Sequence, residues 1–139
     1  MVVIIVIGLT TLPLRNAIVS GDAETTQVGV RTNPIIIKIL KNLRPCESSS
    51  LDSAINPKDL DNTASYGRYQ MKPGTMLEWG IEYKFLTNIE PTEIMNLIMD
   101  GELQEAILIK VLEDNWKSRD FWEHQFPACS AKYRFWEYN

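Results

Sequence analysis

Residues 46–75 read CESSSLDSAINPKDLDNTASYGRYQMKPGT, and the rest of the chain takes its meaning from this stretch. It opens on Cys46-Glu47-Ser48, passes an Asn56-Pro57 turn, and runs into Ser65-Tyr66-Gly67-Arg68-Tyr69-Gln70-Met71-Lys72-Pro73-Gly74-Thr75. Ser, Asn, Asp, Pro and Gly crowd it, and each favours turns for its own reason. Short polar side chains bond the neighbouring backbone, Pro presets φ, and Gly accepts positive φ. No apolar periodicity runs through it, and a loop of this length is uncommon in a compact domain unless it carries function. Outside the first thirty residues, a short β-hairpin inside this loop is the one option the sequence leaves for strands.

Helical signals flank the loop. Upstream, Asn33-Pro34 is a helix start, because Asn caps orphan N–H groups and Pro fits the first turn. A helix over residues 34–43 places Ile36, Ile39, Leu40 and Leu43 on one face. Pro45 cannot donate to the preceding turn, so this helix is expected to kink or end near residues 44–46. Downstream, residues 76–85 form a short amphipathic helix, and Thr87 with Glu90 resembles a capping box before Pro91. Apolar stripes at Ile94, Leu97 and Ile98, then at Leu103, Ile107 and Val111, are interrupted at Asp100-Gly101. They predict two helices end to end, or one with a break. Residues 115–139 hold eight of the chain's thirteen aromatic side chains, read first as packing. The fold class is mainly α.

The totals bound what such a chain can do. Its 139 residues suffice for one domain, and 45% apolar against 23% charged residues supports a hydrophobic core. A net charge of −4 with no Lys/Arg cluster argues against nucleic acid as a partner. Residues 2–12 (VVIIVIGLTTL) are too short to span a bilayer comfortably but fit the apolar part of a secretory signal peptide. Ala17-Ile18-Val19-Ser20-Gly21 is a small-residue cleavage zone, and a buried β-strand is the competing reading of this Val/Ile-rich run. The chain thus divides into an export segment or apolar anchor (1–20), a Thr/Gly-rich linker (21–32) and one domain (33–139). Cys46 and Cys129 either close a single disulfide, as suits an exported domain, or stay as two core thiols. No spacing suggests zinc or another metal, and the single His124 has no partner in sequence.

Taken together and in order, Glu47-Ser48, Asn56-Pro57 and the Gly67-x-x-Gln70-x-x-Pro73-x-Thr75 segment resemble the lytic transglycosylase family of the lysozyme-like superfamily. The resemblance is firm over residues 46–75, looser to Cys129, and does not extend to the first thirty residues. It implies a lysozyme-like α-helical domain in which Glu47 closes the first helix and cleaves the β-1,4 bond between N-acetylmuramic acid and N-acetylglucosamine. Elementary chemistry asks for such a group: the leaving oxygen needs a proton, and a carboxyl supplies it when apolar burial keeps it protonated. By resemblance Glu47 then acts as base, taking the proton of the substrate's own C6 hydroxyl as that oxygen closes a 1,6-anhydro ring.

Other roles are implied with it. Ser48 would bond the reacting sugar or orient Glu47, and Gln70 would bond an N-acetyl or hydroxyl group or hold Glu47. Gly67 would let the backbone approach the sugar, and Tyr66 would stack on a sugar face, whereas Tyr69 reads as core. Cys46 beside Glu47, if paired with Cys129, would tie the C-terminal segment to the base of the site. A hydrolysing muramidase would need a second carboxylate, and Asp52, Asp59 and Asp61 read more naturally as turn formers. A non-catalytic peptidoglycan-binding protein of the same shape is the remaining alternative. The expected partner is the glycan strand of peptidoglycan, met by an exported monomer with transient membrane association through its N-terminal segment. This chemistry calls for no cofactor.

Overall fold

The computed structural model describes residues 31–58 and 63–139, and the expected export segment, most of the linker, Asp59 and Asp61 lie outside them. The described chain is mainly helical: α1 (Pro34–Ser48), α2 (Pro73–Glu82), α3 (Gly101–Asn115), α4 (Arg119–Gln125) and α5 (Pro127–Tyr133), with 3-10 helices at Pro91–Asn96 and Phe135–Glu137. One antiparallel hairpin, β1 (Ile55–Asn56) and β2 (Ser65–Tyr66), interrupts it, with Ile55 opposite Tyr66 and Asn56 opposite Ser65.

Helix α1 begins as its sequence dictates, with the Asn33 side chain accepting from the Ile35 N–H at 2.8 Å and Pro34 in the first turn. Of the two outcomes expected near Pro45, a kink or an end, the helix does not end there. Pro45 sits inside the helix, which runs on through Glu47 to Ser48 and stops at Ser49, a left-handed residue with φ 53°. An interior proline costs about 3 kcal/mol, because its ring crowds the carbonyl four residues back and removes that carbonyl's donor. The last turn is held from both sides nonetheless. Leu43 is fully buried, Cys46 is disulfide-bonded to Cys129 with Cα atoms 6.0 Å apart, and the Ser49 N–H donates to the Pro45 carbonyl at 2.9 Å.

Two further expectations shift. Helix α2 starts at Pro73 rather than Met76, using the proline as its first helical residue. The capping box lies one turn later than Thr87: Glu90 is the cap, and its N–H donates to the Glu93 carboxylate at 2.8 Å. Thr87 is followed by Asn88 at φ 52°, a left-handed residue that turns the chain before the helix begins. The break at Asp100-Gly101 is a helix start, with the Asp100 carboxylate accepting from the Leu103 N–H at 3.0 Å.

The core forms where these elements meet. Helix α3 contacts α1 and α2, while α5 contacts α1 and α4. Ile36, Ile39 and Leu43 from α1 join Ile107, Leu108 and Leu112 from α3, all fully buried. The C-terminal aromatics close the other side: Trp122 and Phe135 have no exposure and ring centroids 4.6 Å apart, and the Trp122 indole N–H donates to the Trp116 carbonyl at 2.8 Å. Asn42 donates to the Tyr138 hydroxyl at 2.8 Å, fastening the chain's end to α1.

Candidate functional site

Four parts of the fold meet around one cavity at Glu47. The end of α1 supplies Glu47, a half-buried residue; the β2–α2 turn supplies Gln70, Met71 and Lys72; α2 supplies Thr75 and Trp79. The α4–α5 junction closes the far wall with His124, Phe126 and Ala128 among others. The enclosed volume is about 210 Å³. A carboxyl, a hydroxyl, an imidazole and an indole wall together suit a polar, hydroxyl-rich ligand with one apolar face.

The hairpin is set on α3 by buried polar chemistry. Gln104 has no exposure, yet each end of its amide is engaged. Its Nε2 donates to the carbonyls of Tyr66 and Ile98, both at 2.8 Å, and its Oε1 accepts from the Tyr69 N–H at 2.8 Å. Gly67 makes this possible: at φ +80°, a Cβ there would lie 2.7 Å from Gln104 Nε2. Arg68 clamps the same turn. Its guanidinium donates to both Asp52 oxygens at 2.8 and 3.1 Å and to Glu105 at 3.2 Å, while the Tyr69 hydroxyl donates to Glu105 at 2.8 Å. The hydrogen bond from Arg68 holds the Asp52 carboxyl below the usual carboxylate range, and burial pushes the Tyr69 phenol well above its ordinary value.

The anticipated site residues therefore separate. Glu47 and Gln70 line one cavity. Gln70 is itself left-handed, at φ 51°, and its amide is engaged in the hairpin: Nε2 donates to the carbonyls of Ala54 (3.2 Å) and Gly67 (3.0 Å), and Oε1 accepts from Ser65 at 3.0 Å. It faces the cavity as part of a braced turn, not as a free amide. Ser48 is buried and its hydroxyl donates back to the Arg44 carbonyl at 3.1 Å; it is not among the residues lining the cavity. Gly67 is buried against Gln104, so its missing side chain makes room for protein and not for a sugar. Tyr66 is half-buried against the core and does not line the cavity. Tyr69 is core, at 1% exposure.

Lys72, Thr75, Trp79 and His124 were not anticipated. The first two sit inside the quoted motif, and Trp79 lies one helical turn after Thr75, so the spacing held a usable signal. His124 and its neighbours had only an indirect one. If Cys46 bonds Cys129, then Ala128 must lie close to Glu47, since each neighbours one of the bridged cysteines. In comparison with known proteins, no family model, curated protein or solved structure matched the chain.

Proposed function

We propose that this protein is a peptidoglycan lytic transglycosylase with a lysozyme-like domain, Glu47 being its acid and then its base. The reading is carried by one observation: Glu47 at the end of α1 and the Gln70–Thr75 part of the motif line the same cavity, although twenty-two residues separate Glu47 from Gln70 in sequence. In the reaction Glu47 gives its proton to the glycosidic oxygen as the C1–O bond breaks. The resulting carboxylate takes the proton of the muramic acid C6 hydroxyl while that oxygen bonds C1, which closes the anhydro ring and restores the acid. No water is consumed and no second carboxylate is needed.

The state of Asp52 favours this route over hydrolysis. A hydrolase of this shape wants a second carboxylate free to activate water or to attack, and Asp52 is instead clasped bidentately by Arg68. The disulfide suits a protein exported to an oxidising compartment, where such bonds persist. Thr75, Trp79 and His124 would bind the sugars flanking the cleaved bond.

The test is digestion of purified peptidoglycan by the full chain and by Glu47→Gln, followed by mass spectrometry of the muropeptides. Products one water lighter than muramidase products, absent with the variant, are expected. Products of ordinary mass would mean hydrolysis. Binding without cleavage by either folded protein would leave a glycan-binding protein.

A further inference from the structure

A second cavity, of about 420 Å³, lies between α1 and α3 and shares no lining residue with the one at Glu47. One stripe of α1 forms its first wall: Ile37, Leu40, Lys41, Arg44 and Pro45, spaced so that they fall on one helical face. Glu105 and Ile109, four residues apart on α3, form part of the other. Ile37 is 49% exposed, which leaves its aliphatic side chain accessible at the edge of the cavity.

The charges of this wall do not balance. Glu105 is already engaged, by Arg68 at 3.2 Å and by the Tyr69 hydroxyl at 2.8 Å. Asp52 is taken by Arg68 in a bidentate pair, and Arg44 reaches it only at 3.9 Å. Arg44 Nε is buried with no acceptor among the described residues, and the Lys41 ammonium has no partner there either. Among the described residues, three cations (Lys41, Arg44 and Arg68) therefore share two carboxylates (Asp52 and Glu105), leaving one positive charge unmatched beside a cavity whose lining is otherwise the aliphatic Ile37, Leu40, Pro45 and Ile109 with the hydroxyl-bearing Thr32, Ser50 and Tyr69. A buried donor without an acceptor is costly, and a guanidinium is shaped to take a carboxylate.

We propose that this cavity binds a monoanionic carboxylate with a short aliphatic body. Lys41 and Arg44 take the carboxylate, and Ile37, Leu40, Pro45 and Ile109 cover the body. The single unmatched charge favours a carboxylate over a dianionic phosphate, and the volume falls within the range of small-molecule sites, about 300–1,000 Å³. The carboxylate could belong to a free organic acid or to the C-terminus of a peptide. The site does not depend on the glycan-cleaving reading and stands or falls separately from it.

The experiment is calorimetric titration of the full chain with N-acetyl-alanyl-alanine, with its C-terminal amide and with isovalerate, together with amide shift mapping by NMR. The dipeptide acid should bind at least about tenfold tighter than the amide, with shifts gathered on α1 and on α3 around Glu105 and Ile109. Lys41→Gln, a change at an exposed position, should remove most of that preference. Isovalerate binding as tightly as the dipeptide would support the site with a free acid as its ligand; tighter dipeptide binding would support it with a peptide terminus. Equal binding of acid and amide, no binding by either acid, or a preference untouched by Lys41→Gln would overturn it.

Discussion

Replacing Gln104 by leucine tests whether the hairpin is held by buried hydrogen bonds or merely rests on the core. The substitution keeps nearly the same volume in a fully buried position and removes every polar atom. It withdraws two donated bonds, to the Tyr66 and Ile98 carbonyls, and one accepted bond, from the Tyr69 N–H. If water could replace them, the net loss would be about 1 kcal/mol per bond. Leucine admits no water, and Tyr69 is only 1% exposed, so its N–H stays buried and unpaired at about 1–3 kcal/mol. The expected destabilisation is at least about 3 kcal/mol, a large part of the 5–15 kcal/mol typical of a domain. Urea unfolding of the disulfide-intact protein measures it, and hydrogen exchange at Tyr69 should accelerate in step. A loss below about 1 kcal/mol with Tyr69 protection unchanged would refute the reasoning and leave apolar packing as what holds the hairpin.

Gly67→Ala should cost about 2–4 kcal/mol, because it combines an unfavourable left-handed backbone with a Cβ 2.7 Å from Gln104 Nε2. Combined with Gln104→Leu it should cost less than the sum of the two, which a double-mutant cycle in urea would read. Reducing the Cys46–Cys129 bond, which spans 83 residues, should destabilise the domain by about 4 kcal/mol, visible as a lower Tm with reductant. The Asp52 carboxyl is held below its ordinary value by Arg68 in the folded state. Its contribution to stability is therefore present above the unfolded pKa, about 4, and is lost as pH falls through the lower folded one. Asp52→Asn should lower stability at pH 6 and lose less of it between pH 4 and pH 2 than the parent, read as urea midpoints across that range.

The parts of the fold legible in the sequence are those set by local chemistry. Asn33-Pro34 starts a helix wherever it is found, and the stripe from Ile36 to Leu43 faces the core because no other face of α1 is apolar enough. The polar loop left room for a short hairpin, but no residue in it marked which positions would pair. Pro45 does not end α1, because propensity counts one turn, whereas the disulfide and buried Leu43 hold that turn from outside it. Gln104 carried no warning: in sequence it is a polar residue within an amphipathic helix, and only the docking of a distant hairpin gives it partners. Gly67 illustrates the same limit, since its need for a small residue was readable while the reason, a glutamine side chain rather than a sugar, was not.

The Cys46–Cys129 link also says something about when a site can exist. Glu47 and the turn around Gln70 lie no later than the middle of the chain, but the far wall of their cavity comes from residues 124–128. During synthesis the motif emerges long before the segment that forms the cavity's far wall. A nascent or truncated chain ending before His124 would carry Glu47 and the Gln70–Thr75 turn and still lack the far wall of their cavity. Completion of the pocket coincides with arrival of the second cysteine, so the covalent bond fastens the last-made wall to the first-made carboxyl.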